Sequence, residues 1–187
     1  MANLCFFELR ATGFKNEKDK NAFLSVFSND SGKTPTGCDT KMPYMAIYET
    51  ELTIDGNTVI LTGDCKWSIN TSFTRNGFYK DKDKNSNYTC LEDLSEKYGL
   101  YIEVYSEECG FCFQEHYIFE NGQVICEDSV DWSEHFIGDY DTYEEWQKSD
   151  DFCEDVSEDD FDSAKKNGDS YVEVGGYEWN FDDRFVA

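Results

Sequence analysis

The sequence predicts an α+β fold, and three observations carry that expectation. Short segments of alternating apolar residues interleave with helical segments in the order strand, helix, strands, helix, strands. Turn signals separate the alternating segments: Asp55-Gly56-Asn57 and, more strongly, Asn121-Gly122. Aromatic residues make up 17% of the 187 residues, enough to build a core despite a net charge of −24.

Residues 3–9 read as the opening strand. Cys5, Phe7 and Leu9 share one face and Leu4, Phe6 and Glu8 the other, so the strand suits the middle of a sheet. A helix follows over about 17–28, capped by Asn16, with Phe23, Val26 and Phe27 as its apolar stripe. Residues 33–43 hold both prolines and read as a loop. Residues 44–54 and 58–65 form a hairpin around Asp55-Gly56-Asn57, and 67–73 reads as a further strand. Thr89 and Glu92 have capping-box spacing for a helix over 90–98, stopped by Gly99. A strand over 100–105 follows, then a hairpin of 111–119 with 123–130.

The character changes near residue 139. Asp141 and Glu144 have capping-box spacing for a helix through Lys148. Ser157 caps another, with Lys165 and Lys166 in its last turn and Gly168 behind it. Residues 171–174 and 177–181 read as a closing hairpin around Gly175-Gly176, whose aromatic residues dock on the domain. The expected organisation is a domain over 1–138 and an acidic extension over 139–187 packed on it. The element order fits a ferredoxin-like βαβ–βαβ sandwich with added β-hairpins and an acidic helical and hairpin extension.

Charge is unevenly distributed. Residues 1–90 carry 11 basic and 11 acidic residues, whereas 91–187 carry 5 basic and 29 acidic, the entire excess. Such a field repels nucleic acid and anionic membranes and attracts cationic partners. The lysines at 80, 82 and 84 alternate with Asp81 and Asp83, so no basic nucleic-acid footprint exists. The first ten residues lack a signal-peptide pattern and no window of about 18 apolar residues occurs. A cytoplasmic chain with reduced thiols is therefore expected, and its eight cysteines are read mainly as small hydrophobes.

One ordered series resembles a known family. Gly63-Asp64-Cys65-Lys66-Trp67-Ser68, then Ile102-Glu103-Val104-Tyr105-Ser106-Glu107-Glu108, then Gly110-Phe111-Cys112-Phe113-Gln114-Glu115-His116-Tyr117 are similar to the YubB-like ferredoxin-fold family. Its members occur in phages, plasmids and gut Firmicutes genomes. The opening strand and Val130-Asp131-Trp132-Ser133 fit the same group, so the resemblance spans roughly residues 1–147. The family usually has proline where Cys109 stands and a small residue where Cys112 stands. The resemblance implies the fold and a mobile-element origin, and no chemistry.

Several groups invite a chemical reading. Cys109, Cys112 and His116 supply three zinc-type ligands, with Cys126 across the Asn121-Gly122 turn as the local fourth. The bland alternative is two thiols at a strand bend. Asp81, Asp83, Asn85 and Glu92 match a calcium loop, although Ser86 replaces its glycine and the bland alternative is a solvated loop. His116 and His135 lack a nucleophile motif, there is no phosphate-binding glycine loop, and no catalytic constellation is found. The chain is therefore expected not to be an enzyme and to need no cofactor. The four tryptophans are expected mostly in the core.

The acidic stretch 134–162 holds 13 acids and one lysine, interleaved with Phe136, Tyr140, Tyr143, Trp146, Phe152, Val156 and Phe161. Aromatic interleaving separates it from a plain disordered acidic tail. Carboxylates fixed on helices imitate the phosphates of DNA for a cationic channel. The expected contacts are Glu144, Glu145, Asp150, Asp151, Glu154, Asp155, Glu158, Asp159 and Asp160. The expected partner is a basic nucleic-acid-binding protein, a CRISPR effector nuclease or a restriction enzyme, which a phage-type inhibitor would block by DNA mimicry. Two alternatives stand beside this. One is a metal-binding module or enzyme, built on Cys109, Cys112 and His116 or on the 81–92 loop. The other is an adaptor whose acidity serves solubility alone.

Overall fold

Alternation along the first strand decides the architecture. The computed structural model describes residues 4–27, 45–52, 57–77, 89–108, 113–176 and 179, with side chains of 46–52 excepted. Strand β1 (Leu4–Thr12) buries Cys5, Phe7, Leu9 and Ala11 completely. Its other face leaves Leu4 and Phe6 more than a third exposed, so the strand is central yet covered on one side. It lies between β3 (Thr58–Lys66) and β4 (Tyr101–Glu108), antiparallel to both, with Leu9 opposite Leu61 and Val104.

The chain divides into two compact units. Unit 1 comprises Met1–Ser129 with Trp179–Ala187, and unit 2 is Val130–Glu178. The division falls between Ser129 and Val130. In unit 1 the strand order is β2-β3-β1-β4-β5-β6, with β2 (Met45–Leu52), β5 (Phe113–Glu120) and β6 (Gln123–Phe136), whose second half enters unit 2. This is an antiparallel sheet with helices on one face, an α+β fold. The β5–β6 turn is two residues long, and Asn121 and Gly122 take the positive φ values of 50° and 80° that such a hairpin turn requires.

Helix α1 (Glu17–Phe27) begins at Asn16, whose Oδ1 accepts the Asp19 N–H at 2.9 Å. Its Phe23, Val26 and Phe27 enter the core, with Phe23 edge-on to Phe14. The expected strand over 67–73 is helix α2 (Ile69–Phe73). Trp67 turns the chain with a positive φ of 64°, and the Ser68 hydroxyl accepts the Thr71 N–H at 3.0 Å. Local capping and burial of Ile69 and Phe73 outweigh the strand-like composition. Helix α3 (Leu91–Tyr98) ends at left-handed Gly99 as expected, but Cys90, not Thr89, is its N-cap. The expected capping box is absent because Glu92 turns outward from the helix to accept the Arg75 N–H through both oxygens, at 2.8 and 3.0 Å. The 33–43 loop and residues 53–56 of the first hairpin's turn lie outside the described residues.

In unit 2, β7 (Tyr171–Gly175) pairs antiparallel with β6, from Trp132 opposite Gly175 to Phe136 opposite Tyr171. The expected partner strand over 177–181 lies outside the described residues apart from Trp179. A Cβ on Gly175 would stand 2.0 Å from the Asp131 carbonyl oxygen, so the close approach to β6 demands glycine. Helix α4 (Tyr143–Trp146) is shorter than expected and is capped by Thr142, which accepts the Glu145 N–H at 3.2 Å. Helix α5 (Glu158–Asn167) has the Ser157–Asp160 capping box and left-handed Gly168 at its end. Ile137, Trp146, Val156, Phe161, Ala164 and Val172 form the core of this unit. Of the four tryptophans, Trp146 alone is fully buried, Trp132 and Trp179 are half-buried and Trp67 is exposed, against the expectation that most are core.

Trp146 carries unit 2: its ring packs on Phe152 and Phe161, and its indole N–H donates to the Phe136 carbonyl at 2.9 Å. Trp146→Ala is expected to cost about 3–5 kcal/mol, read as faster amide exchange throughout α5 than in β1. Equal exchange in both units of the variant would contradict this assignment.

Candidate functional site

The acidic surface of unit 2 is built on that apolar core. All nine carboxylates singled out from the sequence are exposed. Their local duties differ. Glu145 accepts the Asp141 N–H at 3.2 Å, and Asp151 accepts the Tyr140 hydroxyl at 2.6 Å, which raises the tyrosine's pKa. Asp155 accepts from the Cys153 thiol, and Asp160 closes the α5 capping box with Ser157. Glu144, Asp150, Glu154, Glu158 and Asp159 make no hydrogen bond or ion pair among the described residues, so their charges face solvent. Glu158, Asp159 and Asp160 occupy the first turn of α5, where the helix dipole favours negative charge and offsets part of their mutual repulsion. Unit 2 contains 17 acidic and three basic residues, so its net charge is strongly negative.

A second constellation lies in unit 1, on strands β4, β5 and β6. Tyr105 of β4 stands opposite His116 of β5, and their rings stack at 4.2 Å with 3° between planes. His116 Nε2 is 3.0 Å from Glu103 Oε1, and Tyr105 donates its hydroxyl to the same oxygen at 3.1 Å. The bond to His116, then the one to Tyr105, hold Glu103 below the ordinary carboxylate range against the opposing effect of burial. On the other side of the ring, His116 Nδ1 lies 3.9 Å from Cys126 Sγ, and Sγ lies 3.3 Å from Asp128 Oδ2. Trp179 brings its ring to 5.7 Å from His116, and its backbone N–H and carbonyl are both bound by the Gln114 amide.

Of the zinc-type set expected from sequence, the structure therefore brings His116 and Cys126 together, while Cys109 and Cys112 lie outside the described residues. Asp81, Asp83 and Asn85 of the calcium-type loop also lie outside them. Glu92, the last residue of that pattern, is buried with both oxygens on the Arg75 N–H. His135 bonds the Ser133 hydroxyl at 2.9 Å on β6. Nothing in the sequence singles out Glu103 or Asp128; the alternation of β4 and the register Tyr105 to His116 are the signals that reach Glu103.

Glu115 is a buried carboxylate on the opposite, core-facing side of β5. It accepts the Ile69 N–H at 2.6 Å, fixing the start of α2, and the Ser106 hydroxyl at 2.9 Å. Among the described residues, no helix is long and apolar enough to cross a membrane. No family model, curated protein or solved structure matches this chain.

Burial raises the Glu115 pKa above its ordinary 4.5, and the hydrogen bonds it accepts offset only part of that rise. A folded-state pKa above the unfolded value means that stability tied to this group is present below 4.5 and declines as pH rises through the raised value. Urea denaturation across this range should show wild type losing stability relative to Glu115→Gln as pH increases. A difference between the two that stays constant with pH would contradict this account.

Proposed function

We propose that this chain is a phage-type inhibitor of a nucleic-acid-targeting defence nuclease, an RNA-guided CRISPR effector or a restriction enzyme. It acts in the host cytoplasm by presenting unit 2 as a DNA mimic. One observation carries the reading: nine carboxylates chosen by sequence pattern are all exposed, on a unit whose own core buries Trp146, Val156 and Phe161 completely. Capped helices α4 and α5 carry Glu144, Glu145, Glu158, Asp159 and Asp160, and Asp150, Asp151, Glu154 and Asp155 stand on the connection between them, next to buried Val156; a cationic channel would then meet a polyanion whose arrangement costs it less entropy. Negative potential also speeds the encounter with a basic partner.

The fold reading that accompanies this is a ferredoxin-like sandwich. The order β2-β3-β1-β4, with α1 between β1 and β2 and α2 and α3 between β3 and β4, supports it. On this reading β5 and β6 are the added hairpin and unit 2 is the acidic extension. The resemblance of 63–68 and 102–117 to YubB-like proteins agrees with that arrangement and with a mobile-element origin.

The test is DNA binding and cleavage by candidate effectors with purified protein at low and high salt. Inhibition should weaken as salt screens the charges. Changing Glu144, Asp150, Glu154, Glu158 and Asp159 together to their amides should weaken inhibition by about tenfold or more while leaving the caps intact. A variant that binds its partner as well as wild type would replace mimicry by the adaptor reading. Failure of the wild type to slow any effector at low salt would remove the proposal.

A further inference from the structure

The His116 constellation carries an inference that does not rest on the acidic surface. We propose that Cys126, His116 and Asp128 form a zinc site, with Glu103 as the outer partner of the histidine.

The ligand atoms of these three residues all lie within 4.8 Å of one another. A tetrahedral zinc with sulfur at about 2.3 Å and nitrogen or oxygen at about 2.0 Å separates its ligand atoms by about 3.5 Å. The distances here are 3.9 Å from His116 Nδ1 to Cys126 Sγ and 3.3 Å from Sγ to Asp128 Oδ2, on either side of that value. With all three ligand atoms inside 4.8 Å, side-chain rotation of the exposed Asp128 toward the ion would close the set without a rearrangement of strands.

The histidine is already oriented for this role. A carboxylate accepts from the Nε2–H, so Glu103 at 3.0 Å assigns the proton to Nε2 and leaves the Nδ1 lone pair facing Cys126. Metal-binding histidines characteristically donate their second nitrogen to a carboxylate in this way. The stacked Tyr105 ring fixes the imidazole plane. Both His116 and Cys126 are half-buried and Asp128 is exposed, so an ion can enter from solvent.

The donor set selects the metal. A thiolate and an imidazole suit zinc, whereas calcium and magnesium require oxygen ligands. Three protein ligands leave a fourth position for water or an incoming group. The Cys126 thiol proton, now donated to Asp128, departs to solvent on binding, and the freed carboxylate turns to the ion.

The test uses the full chain, stripped with chelator and titrated with Co2+ and Zn2+. One equivalent of Co2+ should bind with thiolate-to-cobalt charge-transfer absorption, and Zn2+ should displace it. Cys126→Ser should abolish that absorption, whereas Cys153→Ser and the double variant Cys109→Ser with Cys112→Ser should retain it. Glu103→Gln should lower zinc affinity about tenfold to a hundredfold. Should Cys126→Ser change the far-ultraviolet circular dichroism, Asp128→Asn, at an exposed position, supplies the comparison and should weaken zinc binding. Absorption that survives in Cys126→Ser, that is lost in the Cys109 and Cys112 double variant, or that never reaches one equivalent in wild type overturns the site.

Discussion

A strand can present two faces only, and the two-residue period of β1 forces unit 1 to treat its sheet faces differently. Cys5, Phe7, Leu9 and Ala11 go into the layer formed with Phe23 and Phe27 of α1, Phe73 of α2 and Leu91 and Leu94 of α3. A slip of one residue would send that whole set to the other side and strand Glu8 and Arg10 in the core. With one face committed to helices, the alternate positions of β4 and β5 are left to polar and aromatic groups. Glu103, Tyr105 and His116 stand there, where a half-wet environment allows charge and stacking to coexist.

Unit 2 answers a different constraint. Seventeen acidic residues in one short segment repel one another, and a surface of that charge persists in one conformation only if something apolar holds it. Trp146, Val156 and Phe161 do so, joined by the caps at Thr142 and Ser157. The carboxylates then divide between those that fasten the backbone, such as Asp160 and Glu145, and those whose charge is directed to solvent. The same residue type thus serves both as frame and as display, which is why removing all nine charges would confuse loss of fold with loss of recognition.

Buried and half-buried acids in unit 1 show how environment assigns different work to one functional group. Glu115 and Glu103 both lie within the sheet, on opposite faces. Burial dominates at Glu115 and pushes its pKa up, although it holds the N-terminus of α2. At Glu103 the imidazole of His116 dominates and pulls the pKa down. The first is a structural fastening that tolerates protonation, the second an anion that orients a ring.

Much of this was legible along the chain. The period of β1, the Asn16 and Ser157 caps, the Gly99 and Gly168 stops and the Asn121-Gly122 turn are local, because each depends on residues within a few positions. The aromatic interleaving of 134–162 likewise fixed in advance that its acids would sit outside a packed frame. Three-dimensional structure alone decided the rest. Counting strictly from the two-residue turn sets Cys126 beside Tyr117 and Glu127 beside His116, yet Tyr117 bonds Glu127 and Cys126 meets His116. Residues 67–73 became a helix through the local Ser68 cap together with burial of Ile69 and Phe73 and an acceptor that Glu115, far along the chain, supplies at its start. Strand β7 chose β6 because Gly175 permits a backbone approach that no local pattern announces. For α2 and β7 the partner lies far along the chain, and in the β5–β6 hairpin the face that Cys126 takes is set by the departure from strict register; a linear reading has no access to either.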